Sequence, residues 1–309
     1  MKSVVFAYHN MGVAGLDALL RNGFKVETIF SHEDDPAEKC WFASVADWGK
    51  SRDIPVLCPA DINKPEWIGH IAALAPETIF SFYYRKMICQ EILAIPVAGA
   101  YNLHGSLLPA YRGRVPVNWV LVNGEKQTGV TLHNMVAKPD AGDMVGQKVV
   151  DIAVEDTAVR LYDKLCRASS VLLDEVLPLI RTGRAPRIAQ DAGKASYFGG
   201  RKPEDGRINW SWTAMRIYNL IRAVTDPYPG AFSFMPDGTK VLIWWGVPEE
   251  ASGSGEAGSV GVDNNEERVY VVTGEGRIRL LDIEINGHRI KNSAIWQYFR
   301  QDKNTAILS

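Results

Sequence analysis

Val4-Val5-Phe6-Ala7-Tyr8, then Gly15-Leu16-Asp17-Ala18-Leu19-Leu20-Arg21, then Val26-Glu27-Thr28-Ile29-Phe30 read in order as a short apolar run, a segment with leucines at helical spacing, and a second β-branched run. Runs of this length with these periods are the marks of strand, helix and strand. The alternation continues outward. Pro36 to Lys50 suits a helix, Ile54 to Leu57 a third strand, Trp67 to Leu74 another helix, Thr78 to Phe82 a fourth strand and Ala98 to Leu103 a fifth. Strands alternating with helices predict βαβ units and an α/β, Rossmann-like, mostly parallel sheet with helices on both faces. In such sheets ligands sit beyond the carboxyl ends of the strands.

The pattern changes near residue 200. Tyr197 to Asp205 carries two glycines and a proline, with a further glycine at Gly206, and reads as a linker. A helix over Trp212 to Val224 follows, closed by Asp226-Pro227-Tyr228-Pro229-Gly230. Short strands come next: Ala231 to Phe234, Lys240 to Trp245, Arg268 to Thr273 and Arg277 to Ile285, with a Gly/Ser/Glu loop over Glu249 to Ser259. Short strands at close spacing predict a small C-terminal β-barrel-like (OB-like) domain. The expected division is a catalytic domain over 1–200 and a helix plus small barrel over 201–309.

Bulk properties narrow the function classes. With 309 residues, 46% hydrophobic and 23% charged, the chain has ample material for a core. A net charge of -2 argues against a phosphate-backbone binder, whose domain would be strongly basic. Cys40, Cys58, Cys89 and Cys166 form no CxxC pair, so neither a disulfide framework nor a zinc site is expected. No run approaches a membrane span or a signal peptide, and a cytoplasmic protein is expected. Gly12 and Gly15 after the first strand do not make GxGxxG, and no phosphate-cradling lysine follows, which excludes NAD and P-loop roles. His32 with Glu33-Asp34-Asp35 reads as a charged loop, with no second ligand set for a metal. His9 and His133 fall at strand ends near the same crevice, where they either support the catalytic residues from behind or, by default, pack in the core or rim. Trp244 and Trp245, adjacent in a strand, suit burial on opposite faces.

The densest chemistry is Asn102-Leu103-His104-Gly105-Ser106-Leu107-Leu108-Pro109, followed by Tyr111-Arg112-Gly113-Arg114. Side chains two apart in a strand share a face, so Asn102 and His104 project together. Asp140, in Val136-Ala137-Lys138-Pro139-Asp140-Ala141-Gly142-Asp143, follows the strand Gly129 to Met135 and could fold back toward His104. An amide, an imidazole and a carboxylate suit acyl transfer to an amine. The amide donates to a developing oxyanion, the imidazole moves the proton, and the carboxylate favours the imidazolium. Residue types alone leave two readings for each: the same three residues serve equally as strand-end and turn residues, and Arg112 and Arg114 either face anions or are solvated surface charges.

The string Asn102 to Pro109 with the later Asp140-Ala141-Gly142 resembles the signature of formyltransferases that use N10-formyltetrahydrofolate. The likeness runs through Val4-Val5-Phe6-Ala7-Tyr8-His9, Ile79 to Arg85, Asn102 to Asn118 and Gly129-Val130-Thr131-Leu132-His133. It returns in Asp226 to Phe232. It covers nearly the whole chain and weakens after about Trp245. The extended Gly-Ser-Leu-Leu-Pro-x-Tyr-Arg-Gly-Arg run is similar to that of the formyltransferase domains of bifunctional polymyxin-resistance enzymes, which act on UDP-4-amino-4-deoxy-L-arabinose in lipid A modification. The resemblance implies a Rossmann-like domain followed by a barrel-like one, with N10-formyltetrahydrofolate as co-substrate, no metal, and a nucleotide-sugar acceptor. It implies that His104 accepts and donates the proton, that Asn102 stabilises the tetrahedral transition state, and that Asp140 raises the histidine's pKa. It places folate contacts at Lys86, Met87, Ile88, Arg114, Val136, Ala137, Lys138, Pro139 and Asp140. It leaves a homo-oligomer, or a fused dehydrogenase domain of the kind found in bifunctional relatives, as the expected partner besides the nucleotide sugar. The chain stops at Ser309, where those bifunctional relatives continue. Methionyl-tRNA formyltransferase shares the implied fold and triad, but the basic insertion a tRNA binder needs is absent from the first 120 residues. Further rivals are a formyl-folate hydrolase, with water replacing the amine, and a folate-binding module without catalysis.

Overall fold

The computed structural model describes residues 1–33, 41–250, 255–301 and 308–309. The chain divides into two compact units. The first comprises Met1–Pro116, Gln127–Ile152 and Tyr162–Gly199, and the second Val117–Lys126, Ala153–Leu161 and Gly200–Ser309.

The first unit is built on a seven-stranded sheet. Its strands are β1 (Lys2–Ala7), β2 (Lys25–Phe30), β3 (Val56–Leu57), β4 (Thr78–Phe82), β5 (Ala100–His104), β7 (Gln127–Asn134) and β8 (Met144–Asp151), and a two-residue β6 (Arg112–Gly113) pairs β9 (Tyr197–Phe198) beside it. The order is β3-β2-β1-β4-β5-β7-β8. The first five are mutually parallel, and β7 and β8 are antiparallel additions at one end. The near-continuous apolar runs of β1 and β4 follow from burial on both faces. Val4 and Phe6 point to one side, against Ile71 of α3 (Pro65–Leu74) and Ile92 of α4 (Gln90–Leu93). Ala7 and Phe82 point to the other, against α1 (His9–Arg21). Gly15 of α1 lies over the Phe82 ring so closely that a Cβ could not fit. The remaining helices that begin in or cross this part of the chain are α2 (Val45–Lys50), α5 (Pro116–Val122) and α6 (Ala158–Arg181).

The second unit carries α7 (Ala214–Val224), capped by the Thr213 hydroxyl on the Arg216 N–H, and α8 (Ser293–Gln301). Its strands are β10 (Ala231–Phe234), β11 (Lys240–Glu249), β12 (Val260–Asp263), β13 (Arg268–Val272), β14 (Arg277–Ile285) and β15 (His288–Lys291). All are antiparallel, in the order β10-β11-β14-β13-β12, with β15 on β14. The last two residues connect the outer strands. Ser309 exchanges backbone hydrogen bonds with Phe234, and the Leu308 N–H reaches the carbonyl of Gly258. Trp244 is buried and its indole donates to Glu284, while the adjacent Trp245 is half-buried.

The expected strands over Thr78–Phe82, Ala231–Phe234 and Arg277–Ile285 match the observed ones end to end. The first helix starts at His9, well before Gly15, because His9 adopts a positive φ of 65° that turns the chain directly from strand into helix. The helix expected over 36–50 begins only at Val45, capped by Ser44, and residues 41–44 are not helical; 36–40 lie outside the described residues. So do Asp34 and Asp35 of the charged loop, and 251–254 of the Gly/Ser/Glu loop.

Candidate active site

Asn102 and His104 lie within β5, on one face of it, and β7 runs antiparallel alongside. The register sets Asn102 opposite His133 and His104 opposite Thr131. Directly opposed side chains touch, so this pairing delivers a second histidine to the site. The His133 Nδ1 lies 2.8 Å from the Asn134 carbonyl. A carbonyl only accepts, so Nδ1 carries the proton and Nε2 presents its lone pair. That lone pair is 3.1 Å from the Asn102 amide nitrogen. The amide group is thereby oriented, with one N–H on His133 and the other directed elsewhere.

The same reasoning fixes His104. Its Nε2 is 2.7 Å from the Tyr111 carbonyl, so Nε2 donates and the basic atom is Nδ1. Nδ1 faces Asp140, 3.6 Å from Oδ1, and His133 Nε2 is also 3.6 Å from that oxygen. Asp140 Oδ2 accepts from the Gly113 N–H at 2.9 Å. The loop from His104 to Tyr111 is pinned from below: Thr131 Oγ1 donates to the Ser106 carbonyl and accepts from the Leu108 N–H, and Ser106 Oγ donates to the Ala110 carbonyl.

Asp140 is reached differently. The chain leaves β7 at Asn134, and the loop folds back over the sheet face with Asp140 at φ 53°. It closes where Gly142 passes so near the Asn134 carbonyl that any Cβ would collide with it. The Asn134 N–H and side chain both donate to the Asp143 carbonyl.

Electrostatics follow from this packing. Burial pushes the His104 pKa below its ordinary 6.5, and His133 adds to the lowering. The Asp140 charge and the Tyr111 carbonyl act upward without restoring it. The carboxylate therefore has the expected sign of effect on the histidine, but desolvation of a nearly enclosed ring, 7% exposed, sets the net direction. At neutral pH the ring is an uncharged base. For Asp140 burial acts upward, yet His104, His133 and the Gly113 N–H outweigh it and hold the carboxyl at about 2.

The other anticipated residues are distributed unevenly. Lys86 does not extend a cation into a pocket: its Nζ donates to the Pro59 and Ala60 carbonyls at 3.0 and 2.7 Å. Asn63 braces the same loop, donating to the Met87 carbonyl and accepting from the Cys89 N–H. Met87 is 58% exposed and Ile88 packs on the core. Arg114 is exposed, with its N–H on the Phe198 carbonyl. Val136, Ala137, Lys138 and Pro139 form the exposed crest of the Asp140 loop. Arg112 departs from both sequence readings. It is 4% exposed and its guanidinium is committed to the Gln190 side-chain oxygen. His9 is packed among Phe42, Trp41, Tyr83 and Tyr162, and His32 stacks on Tyr84 and accepts from the Arg85 N–H. Among the described residues, no group of three or more metal-ligating side chains is gathered, and no helix is long and apolar enough to cross a membrane.

Sequence reasoning left His133 either as a support behind the site or, by default, as core or rim packing. The signal that would have found it is the antiparallel register, which places it opposite Asn102.

Comparison with known proteins gives two family matches, a formyl transferase domain over residues 1–177 and a formyl transferase C-terminal domain over residues 201–300. Among solved structures, an N-formyltransferase from Helicobacter canadensis, in complex with folinic acid and dTDP-3-aminofucose, is 22% identical with a TM-score of 0.70, over 91% of this chain and 98% of its own. A sugar N-formyltransferase from a Shewanella species is 20% identical with a TM-score of 0.63, over 79% of this chain and 97% of its own. HypX from Aquifex aeolicus is 17% identical with a TM-score of 0.62 over 98% of this chain, which spans only 48% of that protein. At these identities the likeness is one of fold.

Proposed function

The chain belongs to the formyl transferase family, and on that premise we propose that it transfers a formyl group from N10-formyltetrahydrofolate to the amine of a nucleotide-linked amino sugar, with UDP-4-amino-4-deoxy-L-arabinose as the acceptor. The donor supplies an electrophilic formyl carbon. In this reading Lys86 to Ile88, Arg114 and the crest Val136 to Asp140 receive it. The observation that carries the reading is the meeting of Asn102, His104 and Asp140 on one face, with Nδ1 of a neutral His104 turned toward the carboxylate at 3.6 Å.

Each group then has a task its hydrogen bonds permit. The Asn102 N–H that does not reach His133 donates to the formyl oxygen as it gains negative charge. His104 Nδ1 takes the proton shed by the attacking amine as the new N–C bond forms, and returns it to the departing nitrogen as the tetrahedral species collapses and the old N–C bond breaks. Asp140 stabilises the imidazolium that exists between those events, and the Tyr111 carbonyl keeps Nε2–H directed away from the reacting atoms. The amine must arrive uncharged.

The acceptor rests on the resemblance of the run from Gly105 to Arg114. A second acceptor class has its own support, since the Helicobacter canadensis relative of the same fold is in complex with dTDP-3-aminofucose. Incubating the protein with the formyl donor and either UDP-4-amino-4-deoxy-L-arabinose or a dTDP-linked 3-amino sugar, and weighing the products, tests both. A formamide of the UDP sugar supports the reading. A formamide of the dTDP sugar alone moves it to that acceptor, and donor loss without acceptor formylation points to a hydrolase. Failure with every amino sugar nucleotide tried rejects it.

A further inference from the structure

The segment that follows α6 runs back across both loops of the site. It begins at Ile188, which exchanges two backbone hydrogen bonds with Met144, and ends at Phe198 in β9. On one side it holds the His104 loop. The Ser196 carbonyl accepts from the Arg112 N–H at 2.9 Å, the Ser196 hydroxyl accepts from the Tyr111 N–H at 2.8 Å, and the Phe198 ring stacks on Tyr111. On the other side it holds the Asp140 loop. The Tyr197 hydroxyl donates to the Pro139 carbonyl, and the Gln190 amide nitrogen donates to the carbonyls of Asp140 at 2.9 Å and Gly142 at 2.7 Å.

Gln190 is the crossing point. Its Oε1 accepts from Arg112 Nε at 3.1 Å and from Nη2 at 2.6 Å. The orientation of its amide is fixed by chemistry at both ends, because a guanidinium only donates and two carbonyls only accept. Every donor and acceptor position that matters is engaged. The cation at Oε1 also polarises the amide, which strengthens the two N–H bonds on the far side. Asp140 needs such support: a non-glycine residue at φ 53° persists only where its surroundings over-determine it. The two carbonyls that Gln190 grips belong to that residue and to the glycine that closes the loop.

We infer that Gln190, backed by buried Arg112, is a positioning residue: it fixes the backbone of Asp140 and so sets the carboxylate against Nδ1 of His104. The inference rests on the reading of His104 and Asp140 given above as proton carrier and partner. The groups facing His104 are Asp140 and His133, and those facing Asp140 are His104, His133 and Tyr197. A carboxylate that drifts away from the ring removes an upward influence on the His104 pKa and leaves burial to act alone.

Two variants and two kinds of readout test this. Gln190→Ala removes the whole clamp. Gln190→Glu keeps a partner for Arg112 but replaces the doubly donating amide nitrogen by an oxygen set against two carbonyls. Both are expected to lower kcat by about ten- to a hundredfold, the scale of an ångström misplacement, with the acceptor KM little changed. Both should move the acid limb of the rate profile, and the His104 titration followed by NMR, to lower pH. Asp191→Ala, next along the segment, should move neither. If both Gln190 variants titrate and turn over like the parent, whatever their melting temperatures, the inference is overturned. The NMR titration needs no substrate, so failure of the formyl-transfer reading and failure of this one are distinguishable. Should neither variant fold, the parent still decides. The Gln190 side-chain amide protons must exchange slowly with solvent, and exchange at the rate of an open glutamine overturns the assignment.

Discussion

Asn102 and His104 are held by β5, a strand bonded on both sides, whereas Asp140 is held by a loop that depends on glycine, a positive φ and hydrogen bonds borrowed from residues fifty positions later. Two side chains of the proposed triad are thus fixed by regular structure and the third by irregular structure. A regular strand places side chains through its two-residue period alone. An irregular loop places one only while its supports are intact. The strand half therefore resists distant substitutions and the loop half transmits them.

The sharpest break of that comparison removes the chemical groups themselves. His104→Ala should lower kcat by on the order of 10²–10⁴, the range of a general acid–base, with the circular dichroism spectrum unchanged. Asn102→Ala should cost about 10²–10³, the range of an oxyanion donor, read as kcat against KM. Asp140→Ala should likewise lose nearly all turnover while remaining folded. A protein retaining most of its turnover after any of these changes would remove that residue from its role.

Loop geometry comes next in size. Gly142→Ala forces a methyl group into the Asn134 carbonyl, and should destabilise by about 1–3 kcal/mol, as overpacking does, and depress turnover further by shifting Asp140. Urea unfolding and kcat check the two parts separately. A variant with full activity would show that the loop tolerates displacement, and the contrast between the halves would fail.

Acid stability gives a smaller effect and separates regions by pH window. Burial and the Arg85 charge lower His9 to about 3, and burial with the Lys86 and Arg85 charges lowers His32 to about 4, both from 6.5. Groups depressed in the folded state take up protons first in the unfolded chain. Their contribution is complete above about 6.5 and is lost as pH falls toward the folded values. Asp140, depressed from 3.8 to about 2, loses its contribution only below 3.8. Urea midpoints should therefore fall from pH 6.5 to 4, and His9→Phe should flatten that fall by roughly one proton. Asp140→Asn should remove the part of the fall below 3.8 that the carboxylate itself contributes, besides the change it makes through His104. A midpoint independent of pH between 4 and 6.5 would contradict the histidine assignment. The smallest effect is expected for Lys86→Met, which removes two hydrogen bonds bracing the loop proposed to receive the donor. A donor KM raised by roughly fivefold with kcat intact corresponds to about 1 kcal/mol.

How legible each part was in the sequence follows the same division. Thr78–Phe82 and the Asn102/His104 pair were readable because strand period and turn residues are local signals. Asp140 was readable as a turn carboxylate able to fold back toward His104, though the positive φ and the Gln190 contacts that hold it there were not. His133 was visible as a strand-end histidine, and only the β5–β7 register shows that it orients an amide. Gln190 lies in a stretch with no motif, and its role arises from contacts at sequence distances of 48 to 78 that no local pattern encodes. Arg112 read as an anion-facing or solvated arginine because burial is a tertiary property. The net direction of the His104 shift escaped for the same reason. A neighbouring carboxylate can be inferred from a motif, but the desolvation that outweighs it depends on everything packed around the ring.

The most direct measurement is kcat/KM for formyl transfer as a function of pH, in the parent and in Asp140→Asn. A buried, neutral His104 acting through Nδ1 predicts an acid limb below 6.5 in the parent. It also predicts a limb displaced to still lower pH, with reduced turnover, in the variant. An acid limb above 6.5, or one that Asp140→Asn leaves in place, would contradict the account.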